Sequence, residues 1–82
     1  MRKYLNDNTE MSTQFSFESG WASLPQRVKH EVRDKIMAAL NITTISSFYR
    51  RKQGFPEPKI SEMQAIKDIF AEYNIIEGIW GN

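Results

Sequence analysis

Hydrophobic residues recur at every fourth position from Leu24 to Leu40. Leu24, Val28, Val32, Ile36 and Leu40 make one stripe, with Met37 and Ala39 beside it. Four-residue spacing winds a single apolar band along an α-helix. Arg27, Glu31, Asp34 and Lys35 lie off that band, and Glu31 and Lys35 are spaced for a favourable i,i+4 pair. Ser23 precedes the band and Gln26 follows it by three residues, as in a capping box, while Pro25 falls in the first turn, where its missing N–H costs nothing. The pattern predicts a helix over residues 24–40 that stops at Asn41.

A polar turn, Asn41-Ile42-Thr43-Thr44, follows, in which Thr43 or Thr44 can cap a second, short helix over residues 45–53. Ile45 and Phe48 lie on one side of that helix and are expected to pack inward. Gly54 is a good stop, and Arg50, Arg51 and Lys52 crowd the last turn, where the helix dipole favours cations. The two prolines of Phe55-Pro56-Glu57-Pro58-Lys59 exclude helix there. A third helix is then expected with Ser61 as N-cap, Gln64 at its third position and an apolar face of Met63, Ile66, Ile69, Phe70 and Tyr73. Asn74, tolerant of left-handed backbone, ends it.

The two ends behave differently. Residues 1–20 are polar and lack helical period; only the alternation of Phe15 and Phe17 with polar neighbours hints at a strand or an arm. They are expected to form a flexible N-terminal arm ahead of a domain over residues 21–82. The other end, Ile75 to Trp80, is too apolar to stay in water, so it either packs back on the domain or meets a second chain. So small a core has little room for four large apolar side chains, which favours the second chain.

Composition narrows the class. The 82 residues, 40% hydrophobic and 26% charged, suit one small all-α domain rather than a disordered chain. There is no cysteine and no apolar run near the roughly 18 residues that cross a bilayer, so a cytoplasmic, membrane-free protein is expected. The net charge of +1 conceals a gradient: residues 22–59 hold eight basic and three acidic groups, whereas residues 60–82 hold one and four. A basic middle between acidic flanks suits a polyanion on one face. His30, the only histidine, has no nucleophile or acid in triad-like context, the carboxylates are scattered and the four glycines are isolated. No catalytic residue, metal, cofactor or small-molecule substrate is therefore expected.

Residues 36–54 carry the functional signal. Leu40-Asn41-Ile42-Thr43, then Ser47-Phe48-Tyr49-Arg50, closed by Gly54, resembles the helix-turn-helix of the Cro/repressor-like (lambda repressor-like, XRE) family, with Asn41 where members often have a turn glycine. The likeness extends over residues 28–75 and implies a small helix-turn-helix bundle, DNA binding and transcription regulation of the phage or mobile-element repressor type, with a homodimer on double-stranded DNA. An α-helix fits the major groove, and short polar side chains at its N-terminus reach base edges. Thr44, Ser46 and Ser47 are candidates for that contact, and Thr43 for holding a phosphate with the helix amides. Arg50 is the candidate for a guanine, Tyr49 for a phosphate or thymine methyl, and Arg51, Lys52 and Lys59 for the DNA backbone. The alternative is a small adaptor or inhibitor that works through the apolar C-terminal tail.

Overall fold

The structure, a computed structural model, describes residues 14–81. Among them the chain forms four α-helices and one 3-10 turn, with no strand: α1 (Glu18–Ser23), the turn Gln26–Val28, α2 (Lys29–Ala39), α3 (Ile45–Lys52) and α4 (Ile60–Ala71). The expected all-α bundle is what is observed.

The apolar stripe is buried where expected, with Leu24, Val32, Ile36 and Leu40 in the core, but the helix that carries it starts later than expected. Pro25 drives the residue before it out of helical backbone, and Leu24 accordingly sits extended at ψ 143°. The chain then needs a 3-10 turn before α2 can begin at Lys29. Ser23 is not an N-cap; it ends α1, its hydroxyl donating to the Ser19 carbonyl at 3.3 Å. The expected Glu31–Lys35 pair is also replaced. Lys35 Nζ donates to Glu72 Oε1 at 2.7 Å and the Tyr73 hydroxyl donates to Glu31 Oε2 at 2.6 Å, so both groups tie α2 to α4.

α2, α3 and α4 end in the same way. Asn41, Gly54 and Asn74 all take positive φ (57°, 98° and 66°). The following N–H, of Ile42, Phe55 or Ile75, bonds back to the carbonyl of Met37, Arg50 or Phe70 at 2.9–3.1 Å. These are Schellman motifs, which satisfy carbonyls that a helix end leaves open. At its start α4 is shifted: it begins at Ile60, and Glu62 rather than Gln64 supplies the third-position acceptor, taking the Lys59 N–H at 2.9 Å.

The largest departure is at the N-terminal side. Residues 16–20, expected in a flexible arm, are built into the core; the rest of the expected arm, before residue 14, lies outside the described residues. Phe17 is 1% exposed and its ring meets Phe48, Phe70 and Trp80 edge-on at 6.1–6.5 Å. Such aromatic pairs are each worth about 0.5–1.5 kcal/mol beyond the area they bury. The apolar tail supplies the reason that this segment is ordered. Ser19 and Gly20 donate backbone N–H groups to the carbonyls of Gly81 (2.8 Å) and Ile79 (2.9 Å), and Gly81 donates to Ser16 at 2.7 Å. Phe17 N–H and the buried Ser16 hydroxyl both donate to the Lys52 carbonyl at the end of α3. The Phe17 amide at the N-cap of α1 thus satisfies an open carbonyl of α3, and the tail carbonyls satisfy the next free amides of α1. Ile79 is buried, Trp80 and Ile75 half-buried, and only Ile76 of the tail's large side chains stands out, at 77% exposure. The domain therefore does have room for most of its tail.

Candidate nucleic-acid interface

α3 has one fully buried side chain. Phe48 is fully buried against Phe17, Trp21 and Tyr49, whereas Ile45, expected to share the core, is 43% exposed. Ile45 opens the helix one turn before Phe48, the residue that meets Trp21 of α1. Thr44 is the N-cap: its Oγ1 accepts the Ser47 N–H at 3.2 Å and lies 2.9 Å from the Ser47 hydroxyl. These two hydroxyls are thereby occupied in starting the helix, while Thr43 stays exposed in the turn.

At about 100° per residue, Ser46 and Arg50 fall on the side of α3 away from Phe48, one turn apart, and both are exposed. The Arg50 guanidinium stands 5.1 Å over the Phe55 ring. That ring is brought there by the Schellman turn, in which the Phe55 N–H bonds to the Arg50 carbonyl. Tyr49, also exposed, flanks this face.

The three consecutive cations of α3 have three different fates, and no acid lies on the helix. Arg50 faces solvent. Arg51 turns inward: its Nη2 is 2.6 Å from Glu62 Oε1, with side chains only 15% and 21% exposed, and the contact is a close ion pair without a linear N–H···O bond. Because Glu62 also caps α4, this pair fastens the end of α3 to the start of α4; Arg51, expected on a DNA backbone, is not presented to solvent as Arg50 is. Lys52 is half-buried, with its ammonium 5.2 Å from the Trp21 ring centre and 5.0 Å from that of Tyr49. Lys59 is exposed at the N-cap of α4.

Beside α3 opens a cleft of about 390 Å³ that no sequence pattern pointed to. Trp21 and Tyr49 wall it, and Lys29, His30, Arg33 and Lys52 line it. Lys29 and Arg33 are one turn apart on α2, a spacing that could have marked a basic face, but nothing in the sequence around Trp21 marks it as a wall of the cleft. A second shallow cleft, about 300 Å³, lies under the turn and includes Thr43, Ser47 and Arg50. The C-terminal tail, the surface that an adaptor would use, lies mostly against its own chain. Among the described residues no helix is long and apolar enough to cross a membrane, and no cluster of three or more potential metal ligands occurs. Comparison of the chain with family models, with curated proteins and with solved structures finds no match.

Proposed function

We propose that this chain is a sequence-specific DNA-binding regulator of the phage or mobile-element repressor type, with α3 as the helix that enters the major groove. One observation carries it. α3 has a single fully buried anchor, Phe48, and turns an acid-free face of Ser46 and Arg50 to solvent, with the arginine held over Phe55. A helix presented in this way matches what a groove reader needs: an arginine aimed outward for the two acceptors of guanine, and short side chains beside it. The reading carries a homodimer with it, because two copies one DNA turn apart read a palindrome.

Selection of duplexes from a random pool, followed by fluorescence anisotropy on the selected and on scrambled duplex, tests the proposal. Arg50→Ala should lose about 1–3 kcal/mol on the selected duplex and far less on the scrambled one. At saturation two chains per selected site are expected. A parent protein that binds selected and scrambled DNA alike, or an Arg50→Ala variant that binds as the parent does, overturns the assignment of α3.

A further inference from the structure

We propose that the cleft bounded by α1, α2 and α3 is a seat for a phosphate group. The seat rests on the reading of α3 as a DNA-contacting helix, and it adds residues of α1 and α2 to the contact. Lys29 and Lys52 bring two ammonium groups to within 5.9 Å and 5.2 Å of the centre of the same Trp21 ring. Arg33 and His30 project from α2 into the same space. No carboxylate among the described residues lines the cleft. Among the described residues Lys29, His30 and Lys52 make no ion pair, and Arg33 donates Nε and Nη2 to Oδ1 of its exposed neighbour Asp34 at a long 3.4 Å, a pairing that a phosphate would displace. Lys35 and Arg51, by contrast, are each paired with a glutamate at 2.6–2.7 Å.

Like charges gathered without a counter-ion repel one another, and the faces of Trp21 and Tyr49 offset that only in part. An anion entering the cleft relieves the repulsion. Two point charges and a guanidinium fork are the donor set that a phosphate takes. The cleft takes Tyr49 and Lys52 from α3, and Tyr49 stands between it and the outward face of that helix. The ligand chemistry is a phosphate ester or anhydride, and its source is either a DNA backbone or a free nucleotide.

The test compares the parent with the double variant Lys29→Gln/Arg33→Gln. Neither residue is in the core, and removal of uncompensated positive charge should leave the melting temperature unchanged or raised. The probes are the selected duplex and ATP, and the readouts are salt-dependent affinity and the Trp21 indole N–H signal in nitrogen-edited NMR. With duplex, the Trp21 signal should move, and the double variant should lose about two units of salt slope, a loss of affinity between about 50 and 200 mM salt that is about tenfold smaller than the parent's, with its sequence preference kept. If instead only ATP moves the Trp21 signal, and the double variant abolishes the effect, the seat stands with a free nucleotide as its source and the DNA reading falls. A duplex that binds through Arg50 while the double variant keeps the parent's salt slope overturns the seat and leaves α3 intact. A Trp21 signal that neither probe moves overturns it as well.

Discussion

Tyr73 and Lys35 hold their protons more tightly in the folded chain than in the unfolded one. The phenol of Tyr73 donates to Glu31, a bond that phenolate cannot make, and this raises its pKa; the Lys35 ammonium nearby opposes the effect and is outweighed. Lys35 itself is held well above the ordinary lysine range, first by its hydrogen bond to Glu72 and then by Tyr73. A pKa raised on folding adds stability that is whole below the unfolded value and disappears as pH climbs through the folded one. Both groups therefore act in the same window, above about pH 10, where an unfolded tyrosine begins to ionise. Thermal melts from neutral to strongly alkaline pH should show a fall in that window, shallower for Tyr73→Phe. Parallel curves for parent and variant would show that the Glu31 bond does not matter. The same scale shows why single side chains were hard to place from sequence. Arg50, Arg51 and Lys52 are three adjacent cations with equal claims to the surface; only the position of Glu62, ten or so residues on and across a proline-bearing loop, decides that Arg51 turns inward.

Helix ends were legible, as was the start of α3 at Thr44, whereas the starts of α2 and α4 were not. Asn41, Gly54 and Asn74 are residue types that tolerate left-handed backbone, and each sits after an apolar period, so each stop could be read directly. The starts offered competing polar residues. Ser23 and Gln26 have capping-box spacing, yet the ψ that Pro25 imposes on Leu24 denies them a helix to cap. Ser61 and Gln64 have it too, yet Glu62 reaches the Lys59 amide first. At Asn41 the backbone requirement can be separated from the side chain. Asn41→Ala should destabilise the protein by about 1 kcal/mol or somewhat more, the cost of left-handed backbone for a residue with Cβ, whereas Asn41→Gly should be neutral or slightly stabilising. Urea titration followed by far-UV circular dichroism measures both, and equal losses in the two variants would mean that the asparagine side chain, not φ, is what matters.

Across the whole molecule, the junction of α1 with the tail is the part that periodicity could not reveal. A phenylalanine among serines carries no helical period, so Phe17 looked like part of an arm, and four apolar residues after Asn74 carry no partner in their own pattern. Only their meeting makes sense of both. Gly20 lies at the contact: a Cβ there would come within 3.0 Å of Ile79 Cα, and Ile79 is held by its carbonyl bond to Gly20 itself. Gly20→Ala should therefore destabilise by about 1–3 kcal/mol, although alanine is the better helix former by about 1 kcal/mol. Urea unfolding followed by tryptophan fluorescence checks the sign, and a gain in stability would show that the tail yields freely. Because Ser19 and Gly20 find their acceptors in residues 79–81, the segment around Phe17 cannot settle until a segment about sixty residues later has arrived. During synthesis the nascent polypeptide carries Phe17, Phe48 and Phe70 without the cover that unites them. The contact of α1 with the tail therefore closes only once Ile79 and Trp80 have left the ribosome, and until then these aromatic residues are open to chaperones and proteases.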